Sequence, residues 1–191
     1  METAVRKATY KLYPSQNQLF ALRETMRLHQ QIYNACLEQR IDAYRKGGIA
    51  VSYADQCREL TDLRRECPEF ATVNCSSQQV TLRRLDKAFK AFFDRAKKGT
   101  GSAGFPRFKS LRGYPGFGFK SHGDGWRFVP GADWKHGKLR LPGIGIIKAR
   151  GATGRHDQVL RPAAPRRNVV SVAHPGVPGD RPAERHRCLR L

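Results

Sequence analysis

The chain has 191 residues, of which 39% are hydrophobic, and a formal net charge of +20 at pH 7. This length suits one domain of ordinary size or two small ones. Residues 95–150 contain thirteen Lys and Arg but only two acidic residues, Asp124 and Asp133. Such a concentration favours nucleic acid as the partner, because each neutralised phosphate releases counterions. A highly charged, solvated surface is the simpler alternative.

Several classes of protein are disfavoured by the sequence. The five cysteines include no C-x-x-C pair, which argues against a zinc ribbon and against a complete disulfide framework. The N-terminus lacks an apolar signal-peptide core, and no apolar run approaches membrane-spanning length. We therefore expect a cytoplasmic protein with reduced thiols, no membrane partner, no small-molecule substrate, no cofactor and no metal.

The first half of the chain predicts a short strand followed by helices. Residues 4–13 alternate loosely and are rich in β-formers, and Pro14 ends the strand. Ser15 with Gln18 forms a capping-box pattern that starts a first helix, which continues to Gly47 and Gly48.

Two further helices are predicted downstream. One spans about residues 52–65, and Pro68 prevents its continuation. The other spans about residues 76–98 and is amphipathic. Its apolar side is formed by Leu82, Leu85, Phe89, Phe92, Phe93 and Ala96. Its opposite side carries Arg83, Arg84, Lys87, Lys90, Lys97 and Lys98, which suit either phosphate or solvent.

After a small-residue loop at 99–104, aromatic residues, glycines and cations are interleaved. Short β-like pieces at 116–120, 126–130, 138–141 and 144–150 suit a small bent sheet or partial barrel. Interleaved aromatic and basic residues can stack bases and hold phosphates. We nevertheless expect most of the aromatic residues to fill the core while the cations face outward. These aromatic residues are Phe105, Phe108, Phe117, Phe119, Trp126 and Trp134.

Three stretches together resemble the OrfB/TnpB family of insertion-sequence proteins, which is related to the type V CRISPR effectors. They are YKLYPSQNQ with the following YNACLEQR, then LRRLDKAFKAFFDRAKKG running into GFPRFKS, and finally LRLPGIGIIKAR. The resemblance covers residues 5–150. It implies an α+β fold in which a helical, helix-turn-helix-like insertion interrupts a small β-barrel-like wedge domain. It also implies binding to a guide RNA, and a RuvC-type nuclease domain with a zinc ribbon after the wedge.

Mapped onto this sequence, the resemblance predicts four segments. Residues 1–14 hold the first wedge strand, residues 15–98 the helical recognition domain, and residues 99–150 the β-rich part of the wedge. We expect residues 151–191 to be a disordered tail, because they are rich in Arg and Pro and contain no Phe, Tyr, Trp, Lys, Ile or Met.

The tail departs from the family's pattern. Cleavage with two metals requires several converging carboxylates. After Arg150 the sequence offers only Asp157, Asp180 and Glu184. We therefore interpret the chain as a non-catalytic N-terminal part of a TnpB-like protein, truncated or frameshifted near residues 154–156. A genuine basic RNA-binding tail is the competing interpretation.

The predicted partner is guide RNA, DNA or both, bound mainly through phosphates. We assign no catalytic residue and no metal ligand. The predicted nucleic-acid-binding residues are Arg6, Lys7, Lys11, Arg83, Arg84, Lys87, Lys90, Arg107, Lys109, Arg112, Lys120, Lys138, Arg140 and Lys148.

Three alternatives remain open. One is a stand-alone helix-turn-helix DNA-binding protein, although the long first helix and the Gly47–Val51 connection fit this poorly. Another is an active enzyme, but no histidine has an evident acid–base partner in sequence, and each is expected to be an ordinary surface or core residue. The third is a pseudogene product that folds poorly because apolar wedge surface lies uncovered.

Overall fold

The computed structural model describes residues 10–99, 104–132 and 136–151, together with the backbone of residues 171–172. These residues form four helices and a small antiparallel sheet, so the predicted α+β class is confirmed. In chain order the elements are β1 (Tyr10–Tyr13), α1 (Gln16–Gly47), α2 (Tyr53–Glu66), α3 (Pro68–Ala71), α4 (Cys75–Lys98), β2 (Phe117–Gly118), β3 (Arg127–Pro130), β4 (His136–Leu141), β5 (Gly145–Gly151) and β6 (Ser171–Val172).

The long helices begin and end at local signals in the sequence. Ser15 and Gln18 form the predicted capping box at the start of α1, and Ser52 caps α2 in the same way. At the end of α1, Gly48 adopts a left-handed conformation with φ of 64°, which favours glycine because other residues are strained there. The predicted bounds of these helices therefore agree closely with those in the structure.

The short helix α3 was not predicted. Pro68 does stop α2, but it also begins α3, since proline tolerates the first turn of a helix. The Arg64 guanidinium donates hydrogen bonds to the backbone carbonyls of Phe70, at 2.8 Å, and Val73, at 2.7 Å. These bonds tie the end of α2 to the segment after α3 and leave the Phe70 side chain fully buried.

Four strands form one sheet in the order β1-β5-β4-β3, with every neighbouring pair antiparallel. The first strand of the chain therefore pairs with β5, and all four helices lie between them in sequence. The helices thus lie, in sequence, between two strands that are neighbours in the sheet. A second, two-stranded sheet pairs β2 with β6.

One hydrophobic cluster joins the helices to the inner side of the sheet. Side chains of α1 and α4 share it with Leu139, Leu141 and Ile147 of the sheet. Phe117, Phe119 and Trp126 are buried in it as expected, whereas Phe105 and Phe108 are not. On the apolar side of α4, Leu82, Leu85 and Phe89 are buried, whereas Phe93 is 54% exposed, because the last turns of α4 extend beyond the core.

Several predictions concern the tail and the termini. Residues 1–9 and Trp134 lie outside the described residues, as do 152–170 and 173–191, which contain the proposed frameshift position. Within the tail, for which disorder is predicted, Gly151 ends β5 and the backbone of Ser171–Val172 pairs with Phe117–Gly118. The structure thus differs from the prediction at these three residues. Backbone N–H and C=O groups can pair in a sheet whatever the side chains are, so composition alone does not exclude a strand.

Gln18 connects the start of α1 to the sheet. Its side-chain oxygen accepts a hydrogen bond from the Ser15 amide at 3.0 Å, and its side-chain nitrogen donates to the Ile146 carbonyl at 2.9 Å. Gln18→Ala is expected to lower the free energy of unfolding by about 1–2 kcal/mol, because both bonds are lost. Urea denaturation measures this effect, and Gln16→Ala, on the exposed first turn, is the matched control. Equal effects of the two substitutions would contradict the prediction.

Candidate nucleic-acid interface

The outer face of the four-stranded sheet carries most of the cations of the β-rich part. Along a strand, successive side chains point to opposite faces. In β4 and β5 the inward residues Leu139, Leu141, Ile147 and Ala149 are buried. The alternating outward residues are therefore on a common face, which we call the cationic face. It comprises Lys11, Tyr13, Arg127, Val129, His136, Lys138, Arg140, Ile146, Lys148 and Arg150.

The strand register arranges these residues in three rows across the sheet. The first row is Lys11, Arg150 and His136; the second is Tyr13, Lys148, Lys138 and Val129; the third is Ile146, Arg140 and Arg127. Neighbouring strands are about 4.8 Å apart, and side chains two residues apart on a strand are about 6.6 Å apart. The face therefore presents at least two cations in each row, at spacings that a polyanion backbone can follow.

The Lys and Arg side chains of this face are not paired with acidic residues within the described part of the chain. The four strands contain no Asp or Glu, and among the described residues none of the six Lys and Arg side chains forms an ion pair with a carboxylate. In addition, Lys11 lies opposite Arg150, Lys138 opposite Lys148, and Arg127 opposite Arg140. Like charges directly opposite each other destabilise a sheet. A bound polyanion would remove this repulsion.

Tyr13 is the aromatic residue at the edge of the cationic face. It is 47% exposed. The Lys11 ammonium lies 5.5 Å from its ring centroid, and the Arg150 guanidinium lies 6.0 Å from it. Both distances are within or at the limit of cation–π attraction. Two cations therefore lie close to the ring, which keeps part of its surface open to solvent.

The predicted cations of α4 do not form a comparable surface. Arg84 points inward: its guanidinium donates to the Gly116 carbonyl and lies over the Tyr114 ring at 5.8 Å. Arg83 lies over the Tyr53 ring at 5.2 Å, and Lys90 pairs with Asp86 at 3.1 Å. Lys87 is exposed. We therefore leave Arg84 out of the interface, because its donors are already engaged within the fold.

The segments on either side of β2 present further predicted cations, most of them in the loop before it. The backbone of this loop is fixed to α1, since the Lys109 carbonyl accepts hydrogen bonds from the Gln30 and Asn34 side chains and its amide donates to Asn34. Arg107, Arg112 and Lys120 are exposed, and Lys109 is half-buried. The loop before β2 is thus a positioned basic segment, separate in sequence from the cationic face.

The structure thus brings together Lys11, Lys138, Arg140 and Lys148 from the predicted set. Arg6 and Lys7 lie outside the described residues. Arg127 and Arg150 belong to the same face but were missed. Their alternation with Phe128 and Ala149 was a usable signal, because period-two patterning places residues i and i+2 on one face.

His29 of α1 is a residue of the core. His29 is fully buried, with Nδ1 2.8 Å from the Thr81 hydroxyl and its ring stacked on Phe117. Burial, with a smaller contribution from the positive charge of Arg84, lowers the pKa of His29 to about 3. This is the core histidine expected from sequence. Among the described residues, no three His, Cys, Asp or Glu side chains are grouped as a metal site requires.

Comparison with known proteins finds similar sequences among transposon-type nucleic-acid-binding proteins. A family model described as a helix-turn-helix domain, that of the OrfB proteins of IS605 elements, matches residues 1–48. A protein of Streptomyces pristinaespiralis named "Putative RNA-guided DNA endonuclease" is 28% identical over 143 residues. That match covers 74% of this chain but only 32% of the relative, so the chain spans about a third of the relative's length.

These findings define a nucleic-acid-binding protein that carries a transposon-type helix-turn-helix domain. More particularly, the chain is similar to the OrfB proteins of IS605 insertion sequences, in agreement with the resemblance of its motifs to the OrfB/TnpB family. The residues matched to the domain model include β1 and the whole of α1. None of the described helices has the length and apolar character needed to cross a membrane.

Proposed function

We propose that this chain binds guide RNA, DNA or both through the cationic face, as the N-terminal part of a TnpB-like protein. The observation that carries the proposal is the set of cations on one sheet face that have no carboxylate partner in the described structure and that oppose one another in pairs. Such an arrangement is unfavourable in the free protein and favourable on a phosphate backbone.

The fold supports the same assignment. The pairing of β1 with β5 across the helical insertion is the plan that a wedge domain interrupted by a recognition domain requires. We infer that the sheet is the wedge-like part and that the protein acts in the cytoplasm. We further propose that the 191 residues do not themselves cleave nucleic acid, because the sequence after Arg150 offers only three carboxylates in Pro- and Arg-rich surroundings.

The second candidate is a helix-turn-helix protein that reads duplex DNA, which the family match over residues 1–48 favours. On this alternative α2 would enter the major groove. Its exposed arginines are already paired within the helix, however: Arg58 with Asp55 at 3.1 Å and Arg65 with Asp62 at 2.7 Å. Since carboxylates repel phosphates, this helix is a poorer candidate than the cationic face.

The proposal is tested by binding of the purified chain to a structured RNA hairpin and to duplex DNA of equal length. Fluorescence anisotropy is measured over a series of salt concentrations. With about five phosphate contacts, the slope of log K against log salt is expected to be about −4 to −5. An RNA preference that persists at higher salt is expected for a guide-RNA-binding protein.

Three outcomes would contradict the parts of the proposal separately. Equal, salt-sensitive binding to both nucleic acids would reject guide-RNA binding and leave only a basic surface. Sequence-specific binding to duplex DNA would favour the helix-turn-helix alternative. Metal-dependent cleavage by the purified chain would overturn the non-catalytic assignment.

A further inference from the structure

The exposed ring of Tyr13 is not explained by packing. Along β1 its neighbour Leu12 points inward and packs against the core, whereas Tyr13 points outward and keeps 47% of its surface exposed. Its position in the second row, directly opposite Lys148, places an aromatic ring among cations rather than among apolar side chains. An aromatic ring within a cationic surface is the combination that single-stranded nucleic acids use.

We propose that Tyr13 stacks on an unpaired nucleobase while the neighbouring cations hold the phosphates on either side of that nucleotide. This inference rests on the proposed nucleic-acid binding and specifies its ligand as a single-stranded segment. Lys11 and Arg150 lie within about 6 Å of the ring, and Lys148 is its cross-strand neighbour. A nucleotide seated on the ring would therefore have Lys11 and Arg150 on one side along the strands and Lys148 beside it in the adjacent strand.

Two features favour a single strand over a duplex. Paired bases are stacked on each other, so a duplex offers Tyr13 phosphates and groove edges but no free base face. The cationic face is also a broad sheet surface, about 14 Å across its four strands, which does not enter a groove as a helix does. Val129 and Ile146, both more than half exposed on this face, add apolar contacts for sugars and bases.

The stacking is tested with short single-stranded RNA and DNA oligonucleotides that contain one 2-aminopurine, and with a duplex of equal length. A stacked 2-aminopurine changes its fluorescence, so the unmodified protein is expected to quench it in the single strands. Tyr13→Leu is expected to weaken single-strand binding by about tenfold, with an unchanged salt slope and unchanged duplex binding. Tyr13→Phe keeps the aromatic face and is expected to bind as the natural protein does.

The outcomes separate this inference from the proposed function. Normal, salt-dependent binding of the natural protein without quenching, or equal effects of the Leu and Phe substitutions, would overturn the stacking and leave phosphate binding intact. Absence of binding to every oligonucleotide would overturn both. The fluorescence measurement requires no variant, so the inference is testable even if Tyr13→Leu lowers stability.

Discussion

The combined substitution of Lys138→Glu and Arg140→Glu is expected to weaken RNA and DNA binding by about 100-fold or more at low salt. Both side chains point outward from β4 at the centre of the cationic face. Each replacement removes an attraction to phosphate and adds a repulsion, and a 100-fold loss corresponds to about 2.7 kcal/mol. The slope of log K against log salt is expected to become less negative by about 2, because about two phosphate contacts are lost.

The same variant is expected to fold more stably than the natural protein. Glu at position 138 would lie opposite Lys148, and Glu at position 140 would lie opposite Arg127. Two repulsive cross-strand pairs would become two attractive ones, a change of about 0.2–1 kcal/mol each. Anisotropy titrations and urea denaturation of the same preparation measure the two effects. If the cationic face binds nucleic acid, the affinity falls while the free energy of unfolding rises. A damaged fold would lower both the affinity and the free energy of unfolding.

The matched control reverses two cations of α2, Arg58→Glu and Arg65→Glu. The change in net charge is the same, but these residues are already paired with Asp55 and Asp62. Little loss of affinity is expected beyond the general effect of net charge. If this control weakens duplex binding as strongly as the sheet variant does, α2 contacts the nucleic acid and the cationic face is not the principal interface.

Mild acid is expected to destabilise the protein through His29. The folded state holds this side chain neutral, with a pKa lowered to about 3 by burial and by Arg84. In the unfolded state the imidazole regains an ordinary pKa of about 6.5 and binds a proton more readily. The contribution of the neutral His29 to the free energy of unfolding is therefore fully present above the unfolded-state pKa. It falls as the pH drops below that value, by about 2–3 kcal/mol between pH 7 and pH 4.5.

This effect is isolated by comparing the natural protein with His29→Gln. The amide keeps a polar group near the hydroxyls of Thr81 and Ser77, which contact the two ring nitrogens at 2.8 and 3.2 Å, but it does not titrate. Urea denaturation at several pH values is expected to give a steeper pH dependence for the natural protein. Identical pH dependence in the two proteins would show that His29 takes up no proton on unfolding.

Local sequence signals were sufficient for the three longer helices and for the approximate positions of the strands. The Ser15–Gln18 pair and Gly48 act on the backbone within a few residues, so α1 could be bounded without knowledge of the rest of the chain. The resemblance to the OrfB/TnpB family was visible for a similar reason, since its motifs are continuous stretches of sequence. The missed helix α3 shows the limit, because Arg64 holds it through carbonyls up to nine residues away.

The candidate site, by contrast, depended on tertiary structure. Sequence alone indicated a basic protein and named Lys11, Lys138 and Lys148 among many cations. Only the pairing of β1 with β5 placed Lys11 and Tyr13 beside Arg150, more than a hundred residues away in the chain. The fold likewise turns Arg84 inward to the Gly116 carbonyl. From sequence, its position on the basic side of α4 predicted a phosphate contact instead. Charge and helical periodicity are properties of a segment, whereas the partners of a side chain depend on long-range strand register and packing, which local patterns do not specify.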